Sequence, residues 1–310
     1  MYGRTYRHHV DQRAGTPPRV TRSRNALRVG RYGHQRAAGA RLLSEGSVRY
    51  AVDAGVATAT LDRAGKLNSL AGDMRDQLRD RIRDAARDEA VHTLVITGAD
   101  GAFCAGGDVR TMAQLREERR EADFHDILHA GAECVLALRA FQGLTIAAIP
   151  GIAAGAGLSL ALACDLRVAT DTARFAASWR GLALAPDWGA THWLPQTLGY
   201  AKALELVLSG RVFSSSEALE LGLVHRVVET DALDQAIGEY AEWGRPRDMV
   251  KAVKYLLRKG ALGGIEASLA AETEAQEDLF VSNDVMEGLR AFSEKRKPRF
   301  GQDPERQDTT

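Results

Sequence analysis

The chain has 310 residues with 41 basic and 41 acidic side chains, so its formal net charge is +0. This balance gives no electrostatic case for nucleic acid as a partner of the whole chain, and no apolar stretch is long and charge-free enough to span a bilayer. Hydrophobic residues make up 45% of the chain and charged residues 26%, which is typical of a soluble globular protein with room for one large domain or two small ones.

Positive charge is concentrated at the N-terminus. Residues 1–46 contain ten arginines but only two acidic residues, Asp11 and Glu45, and few large apolar side chains. This composition cannot bury a core and predicts a disordered, arginine-rich extension. Three interpretations stay open: a start codon placed too far upstream, an organellar transit peptide, or a basic arm. We favour a dispensable extension, which is what a start codon placed too far upstream would produce.

From residue 47 onward the pattern predicts strands alternating with helices. Two short runs around Asp53-Ala54-Gly55 predict a hairpin. The predicted elements, in chain order, are strands at 48–52 and 56–61, a helix at 70–89 with Met74, Leu78 and Ile82 on one face, a strand at 91–97, a helix at 121–140 with Ile127, Leu128, Val135 and Leu138 inward, a strand at 144–149, a helix at 157–163, strands at 166–169 and 174–177, and a largely helical remainder from residue 190. This alternation predicts an α/β layer fold with parallel strands.

Two glycine-rich turns each end an apolar strand and lead into a helix. Residues 103–108 have the sequence FCAGGD and residues 151–157 the sequence GIAAGAG; they are called the 103–108 turn and the 151–157 turn below. Small residues let a ligand approach the backbone closely, and the first amides of a helix have no partner inside it. Two such turns that face one point would hold one oxyanion between two N–H groups.

The remaining polar residues predict no metal or disulfide chemistry. Cys104, Cys134 and Cys164 are odd in number and lie in apolar surroundings, which predicts free buried thiols and a reducing, cytoplasmic compartment. No Cys/His cluster has metal-ligand spacing. Asp108 is interpreted as a helix N-cap and Asp165 as a buried hydrogen-bonding group.

Four segments of the chain together resemble the crotonase superfamily, the enoyl-CoA hydratases and isomerases, over roughly residues 47–300. They are Leu61–Leu70 (LDRAGKLNSL), Phe103–Asp108 (FCAGGD), Gly151–Gly157 (GIAAGAG) and Phe292–Pro298 (FSEKRKP). Each segment alone is a weak signal, whereas four in the family's order and spacing are a strong one.

The resemblance implies an α/β fold, a ββα spiral with a C-terminal helical region. Residues 47–240 would form the spiral core and residues 241–310 the helical region for trimerisation, giving a homotrimer or a hexamer. The substrate would be an acyl-CoA thioester, with coenzyme A as part of the substrate and no separate cofactor. Membrane and nucleic acid are not expected partners.

The resemblance also implies site residues. The thioester carbonyl would lie between the amides of Ala105 and Ala156. The residues implied to contact substrate are Lys66, Leu67 and Asn68 on the adenine side, Gly106, Gly155, Gly157, Ser159 and Trp179 around the reacting group, and Phe292 and Lys295 near the C-terminus, often across a subunit boundary.

Two positions depart from the hydratase pattern. Hydratases of this family activate a water with two glutamates, whose positions are occupied here by Ser159 and Trp179. A serine cannot act as a carboxylate base, and an indole has no acid–base chemistry. Asp187 lies eight residues after Trp179, where isomerase-type relatives place an aspartate in the pocket. The alternative is a purely structural role for Asp187 as the N-cap of the helix that follows it.

These departures favour an acyl-CoA isomerase that shifts a double bond or rearranges a ring, with the pattern most similar to the phenylacetate-pathway isomerases. Asp187 would transfer the proton while the amides of Ala105 and Ala156 hold the enolate oxygen. The alternatives are an atypical hydratase, a hydrolase in which Asp187 attacks the thioester, and a non-catalytic homologue that binds CoA or RNA. The dehalogenase branch shares the Trp…Asp pair but uses a helix histidine whose counterpart here is Ala132.

Overall fold

The computed structural model describes residues 46–261, 265–280 and 282–301, and of this part the side chains at 265–268, 292 and 293 are not described. A tight hairpin begins it, as predicted. The strands β1 (Ser47–Asp53) and β2 (Val56–Asp62) pair antiparallel with Asp53 opposite Val56. Ala54 and Gly55 between them have φ of 46° and 80°, and two positive φ values are the mark of a hairpin turn whose twist matches its strands.

Parallel strands extend this hairpin into a six-stranded sheet. The further strands are β3 (Thr93–Gly98), β4 (Leu144–Ile149), β5 (Ala153–Ala154), β6 (Leu166–Thr170), β7 (Arg174–Ala176), β8 (Val212–Ser214) and β9 (Arg226–Val228). The large sheet has the order β1-β2-β3-β4-β6-β9, and β5, β7 and β8 form a second, three-stranded sheet. This is an α/β architecture with mostly parallel strands, as the sequence predicted.

Helices cover both sheets and form the C-terminal part. They are α1 (Met74–Arg87), α2 (Val109–Glu117), α3 (Glu121–Ala140), α4 (Ala156–Ala163), α5 (Ala190–Leu198), α6 (Tyr200–Ser209), α7 (Ser215–Glu220), α8 (Leu233–Ala241), α9 (Arg247–Gly260), α10 (Ile265–Phe280) and α11 (Asn283–Ser293), with short 3₁₀ helices at Ser178–Leu182, Thr230–Ala232 and Glu242–Gly244. None of the described helices is long and apolar enough to cross a membrane.

The inner strands β3 and β4 of the large sheet are buried on both faces, which explains their continuous apolar sequences. In β3, Leu94 and Ile96 join the main core, whereas Val95 between them joins a second cluster beside α8. Successive side chains of a strand point to opposite faces. The strand ends therefore emerge from a rigid layer, and the 103–108 and 151–157 turns follow two neighbouring strands, β3 and β4.

The predicted elements agree with the structure except in a few places. α3 has the predicted bounds, but Leu128, predicted to face inward, is 38% exposed, because Gly131, Cys134 and Leu138 form the buried stripe instead. The strands β8 and β9 were not predicted. Each is only three residues long, and a run of that length has too few residues to show an alternating pattern.

The two aspartates interpreted as structural have structural partners. Asp108 caps α2 by accepting from the amides of Arg110 at 2.9 Å and Thr111 at 3.4 Å, as predicted. Asp165 accepts from the backbone and side chain of Thr145 and pairs with Lys254 of α9 at 2.6 Å. This ion pair attaches α9 to the sheet. The domain boundaries themselves stay predictions, and residues 1–45 lie outside the described residues.

Candidate active site

The amides of the 103–108 turn are almost all used within the fold. Phe103 and Cys104 both donate to the Ile152 carbonyl, Ala105 donates to the Leu67 carbonyl at 2.9 Å, and Asp108 donates to the Leu70 carbonyl. Gly106 donates to the thiol of Cys104 at 3.4 Å. Within residues 103–108 the Gly107 amide alone has no acceptor in the described structure.

Local pairing explains why Gly107 is the exception. Leu70 forms a parallel bridge with Gly107: its N–H donates to the Gly106 carbonyl at 2.7 Å and its carbonyl accepts from Asp108 at 3.2 Å. In such a bridge the residue between the two bonded groups turns its own N–H to the opposite side. Gly107 is partly exposed, so a ligand can reach this amide. The predicted donor Ala105 is already engaged.

In the 151–157 turn the free amide is that of Ala156, and it is free for a different reason. Gly155 donates to the Ala176 carbonyl at 3.0 Å, and the next bonded amide is that of Ser159, which donates back to the Gly155 carbonyl. Ala156 is the first residue of α4, and the first amides of a helix have no partner within it. The structure thus leaves the amide of Ala156, the position that the resemblance implied, without an acceptor among the described residues.

The two turns pack directly against each other through glycines. Gly106 has φ +95°, and a Cβ there would lie 2.8 Å from the Ala154 carbonyl oxygen and 3.3 Å from the Ala156 nitrogen. A Cβ on Gly157 would lie 2.1 Å from the Cys104 carbonyl oxygen, so no larger residue fits. Because the Gly106 carbonyl carbon is bonded to the Gly107 nitrogen, the free amides of Gly107 and Ala156 belong to two backbone segments in direct contact.

The predicted adenine-side segment lies beside this pair. Leu67 and Asn68 have φ of 48° and 53°. The Asn68 side chain is buried and donates to the carbonyls of Ala99 at 2.9 Å and Ala102 at 2.8 Å, so its amide group holds the fold together. The side chains of Lys66 and Leu67 are exposed, which leaves this segment accessible to a ligand.

A hydrogen-bonded tryptophan and aspartate lie on the segment that contains the 3₁₀ helix Ser178–Leu182 and the residues after it. Trp179 lies in the 3₁₀ helix Ser178–Leu182 and donates its Nε1–H to Oδ1 of Asp187 at 2.9 Å. Ser178 is next to the 151–157 turn, with its Oγ 3.0 Å from where a Cβ of Gly155 would lie. α5 begins at Ala190 with Gly189 as its N-cap, so Asp187 is not the N-cap residue.

The environment of Asp187 alters its acidity. Burial raises the pKa of the Asp187 carboxyl, and the hydrogen bond from Trp179 and the positive charge of Arg75 oppose part of that rise. Burial disfavours the charged form of a carboxyl, whereas a donated hydrogen bond and a cation favour it. Asp187 forms no ion pair with any described residue at short range, so the carboxylate stays free to accept a proton.

Ser159, the other departure from the hydratase pattern, is turned to its own helix. The side chain is fully buried, and its Oγ donates to the Gly155 carbonyl at 3.3 Å. Hydroxyls inside helices often bond to the carbonyl four residues back. The positions of both hydratase glutamates thus hold side chains that are engaged elsewhere: Ser159 with the backbone and Trp179 with Asp187.

An apolar cavity of about 430 Å³ lies next to the amide pair. Its walls come from α2, α3 and the end of the 3₁₀ helix that carries Trp179, and they are formed by Val109, Met112, Ala113, Leu115, Arg116, Arg120, Glu121, Phe124, Leu182 and Leu184. Met112 links the cavity to the site, since its Cε lies 3.6 Å from where a Cβ of Gly107 would be. A group held at Gly107 could extend into this space.

The C-terminal residues implied by the resemblance lie on a separate layer. Lys295 follows α11, and its side chain is exposed. Phe292 belongs to α11, but its side chain lies outside the described residues. The cleft around α11 is lined by residues of α9 and α10 and by Phe300. A contact of Phe292 or Lys295 with CoA stays a prediction.

Metal and thiol chemistry have no support in the described part of the chain. No three His, Cys, Asp or Glu side chains are placed there to hold a metal ion. The three cysteines are free and buried, as predicted, and burial raises the pKa of Cys104 to about 11. A thiol with such a pKa is not a nucleophile at neutral pH.

Sequence reasoning missed Gly107 and Arg75. The pair Gly106-Gly107 was visible, but the partner of each amide depends on Leu67 and Leu70, which are distant in the chain. Arg75 had a clearer signal: it occupies the stripe Arg75, Leu78, Ile82 and Ala85 on α1, all of them buried. A charged residue on the inward stripe of an amphipathic helix is unusual.

Comparisons with known proteins identify relatives of this chain. Residues 51–303 match the family model described as enoyl-CoA hydratase/isomerase. A probable enoyl-CoA hydratase of Rhodobacter capsulatus is 35% identical over 83% of this chain and 99% of its own length. A trans-2-decenoyl-[acyl-carrier-protein] isomerase of Streptococcus mutans is 32% identical over 82% and 97%. The crystal structure of a putative enoyl-CoA hydratase/isomerase from Mycobacterium abscessus has a TM-score of 0.77 and 33% identity, covering 82% of this chain and 99% of that one.

Proposed function

The chain belongs to the enoyl-CoA hydratase/isomerase family, and on this premise we propose that it is an acyl-CoA isomerase that shifts a double bond, or rearranges a ring, through an enolate. The observation that carries the proposal is the pair Trp179–Asp187. It supplies one carboxylate of raised pKa where a hydratase needs two carboxylates to handle a water.

In this proposal the thioester oxygen binds between the amides of Gly107 and Ala156. We assign Gly107, and not Ala105, as the first donor, because the Ala105 amide already donates to the Leu67 carbonyl at 2.9 Å. As a proton leaves carbon, negative charge grows on the thioester oxygen. Two fixed donors stabilise that charge more than they stabilise the neutral carbonyl.

Asp187 then moves the proton. Its carboxylate takes a proton from C2 or C4 of the enoyl chain, and the resulting carboxylic acid returns it to the other carbon, so no atom is gained or lost. A base works best when its pKa lies near the working pH, and burial raises the pKa of Asp187 in that direction. The Trp179 hydrogen bond fixes the orientation of the carboxyl group.

The cavity beside Met112 would accept the acyl chain. Most of its lining side chains are apolar, and the charged ones, Arg116, Arg120 and Glu121, pair with acidic or basic neighbours. An acyl chain without charge fits such walls. That one relative is named as an isomerase of a ten-carbon enoyl thioester supports an apolar acyl group as substrate.

We also propose that the chain assembles as a homotrimer or a hexamer. Several apolar side chains of the C-terminal helices are exposed, among them Leu257 at 71%, Phe280 at 70% and Leu289 at 58%. Clustered exposed apolar residues commonly mark a protein interface. Light scattering on the purified chain gives the mass that tests this.

The proposal is tested by offering one 3-enoyl-CoA and one 2-enoyl-CoA. We expect the wild type to convert the 3-enoyl-CoA into the conjugated 2-enoyl-CoA faster than it hydrates crotonyl-CoA. Mass spectrometry would follow the isomer, the hydrate and the free acid together. Asp187→Asn should lower kcat by about 10²- to 10⁴-fold, since that is what a positioned acid–base group contributes, and leave KM nearly unchanged because the amide still fits.

A matched control is Asp126→Asn, the same change on the exposed face of α3, which should retain wild-type rates. Full isomerase activity in Asp187→Asn would overturn the mechanism. Incorporation of oxygen-18 from labelled water into free acid and into the enzyme would instead identify Asp187 as a nucleophile in thioester hydrolysis.

A further inference from the structure

Arg75 is a buried cation next to the amide pair. Its side chain is 6% exposed, and Nη2 donates to the Leu70 carbonyl at 3.0 Å and lies 3.7 Å from where a Cβ of Gly107 would be. We propose that Arg75 is a positioning residue, whose guanidinium keeps the Asp187 carboxyl in the charged form that accepts a proton. This inference rests on the proposed function for what Asp187 does, but its main test requires no turnover.

The guanidinium has no ion-pair partner among the described residues. Its Nε is buried and has no hydrogen-bond acceptor there, and the only acceptor of Nη2 is the neutral Leu70 carbonyl. An arginine keeps its charge at any ordinary pH, and buried charges are normally paired. A stabilising role toward the fold is therefore a poor explanation of this residue.

The groups that act electrostatically on Arg75 come from four elements: Cys104 of the 103–108 turn, Cys134 of α3, Asp187, and Asp76 on its own helix. Burial raises the pKa of Cys104 to about 11 and that of Cys134 to about 12, so both thiols are neutral. Asp76 pairs with Arg79 at 2.9 Å. Asp187 is the one remaining negative group in that set.

Asp187 lacks a close cation in the same way that Arg75 lacks a close anion. The Asp187 carboxyl accepts from Trp179, and Arg75 is the cation that acts on it. A direct ion pair would bring the carboxyl well below its usual pKa and make it a poor base. A cation held further away favours the carboxylate without occupying its oxygens.

α3 holds both residues in place. The Cys134 thiol donates to the backbone carbonyl of Arg75 at 3.1 Å. One turn earlier on the same face, Gly131 makes room for the indole of Trp188, since a Cβ there would lie 2.2 Å from Nε1. Trp188 directly follows Asp187, so α1 and the Asp187 segment dock on one stripe of α3 and keep a fixed separation.

The test measures the pKa of Asp187 in the free protein. A protonated carboxyl has an infrared C=O stretching band that a carboxylate lacks, and the band that disappears in Asp187→Asn belongs to Asp187. In Arg75→Gln, which keeps a hydrogen-bond donor but removes the charge, the pH midpoint of that band should rise. Arg75→Lys should restore most of the wild-type midpoint.

Arg81→Met is the matched control, because Arg81 lies on the same helix but faces Tyr50; its midpoint should equal that of the wild type. In assays with an enoyl-CoA, the acidic limb of the kcat profile should move up with the infrared midpoint in Arg75→Gln, while KM stays unchanged. Should Arg75→Gln not fold, Arg75→Met removes the same charge with an apolar chain of similar length.

An unchanged or lower Asp187 midpoint in the charge-removing variant overturns the inference, whatever the activity. A raised midpoint in a protein whose wild type does not isomerise enoyl-CoA supports the inference and overturns the proposed function instead. The two failures are thereby distinguished.

Discussion

The two halves of the candidate site differ in kind, since one consists of backbone amides and the other of side chains. The amide half, Gly107 and Ala156, consists of backbone N–H groups without an acceptor among the described residues, because Gly107 lies in a bridge that turns its N–H away and Ala156 is the first residue of α4. The carboxylate half, Trp179 and Asp187, consists of side chains joined by one hydrogen bond of 2.9 Å. A backbone amide can bind a ligand only where the fold leaves its N–H without an acceptor. A carboxylate, in contrast, is an acid–base group by virtue of its own chemistry.

This difference predicts that the halves respond differently to mutation. The amide half tolerates changes of side chain but not of backbone position, and the carboxylate half tolerates small shifts of backbone but not the loss of a polar atom. Substitutions that alter one half at a time separate these responses.

The largest effect is expected for Gly157→Ala, which forces the two turns apart. The new Cβ would lie 2.1 Å from the Cys104 carbonyl oxygen, and neither backbone can yield alone. We expect a loss of about 3 kcal/mol in the free energy of unfolding, toward the upper end for overpacked sites, measured by urea denaturation. Gly238→Ala is the control: it lies in α8 with no atom within 4 Å of the new Cβ, and it should stabilise the protein by about 0.5–1 kcal/mol.

The next effect is expected for Ala156→Pro, which removes one amide hydrogen at the first position of α4. Proline is well tolerated there because its φ suits the helix start. If this amide holds the enolate oxygen, kcat should fall by about 10²- to 10³-fold while circular dichroism stays native. Ala156→Gly keeps the N–H and should stay within a few-fold of the wild type. A fully active, folded Ala156→Pro would remove Ala156 from the oxyanion site.

The amide half also shows how far sequence reasoning reaches. The turns and their order were predicted from small residues after apolar strands, and Ala156 was assigned through the family resemblance. The first donor was placed two residues away, at Ala105, because the partners of these amides are Leu67 and Leu70. Such long-range pairing leaves no local pattern in the chain.

The carboxylate half was easier to predict. Trp179 and Asp187 were singled out as residue types at positions of the resembled family, and the structure joins them with a hydrogen bond. Their role in the reaction stays a prediction. The sequence could not show that Ser159 donates to the Gly155 carbonyl or that Arg75 lies beside Gly107, because both depend on packing between elements.

A smaller effect, mainly on pH dependence, is expected for Trp179→Phe. Burial raises the pKa of Asp187, and the Trp179 hydrogen bond lowers it; removing that bond should raise this pKa further. If the carboxylate is the active form, as proposed, the acidic limb of kcat should move to higher pH, with a loss of about tenfold on the acidic side of that limb, the worth of one hydrogen bond to a charged group. Trp193→Phe is the control, since the Trp193 Nε1 has no partner among the described residues. An unchanged profile in Trp179→Phe would show that the hydrogen bond does not tune the base.

The smallest effect is expected for Ser159→Ala. The Ser159 hydroxyl is fully buried and donates to the Gly155 carbonyl at a long 3.3 Å; that carbonyl also accepts from the Ser159 amide at 3.0 Å, so it keeps a partner. Stability should change by less than about 1 kcal/mol, and isomerase kcat by no more than about twofold. A hydratase that used this hydroxyl to hold its water would lose far more, because nothing else at this position can take its place. A tenfold loss of hydration activity in Ser159→Ala would therefore indicate that Ser159, at the position of a hydratase glutamate, holds the reacting water. Such a loss would favour hydration over isomerisation as the activity of this chain.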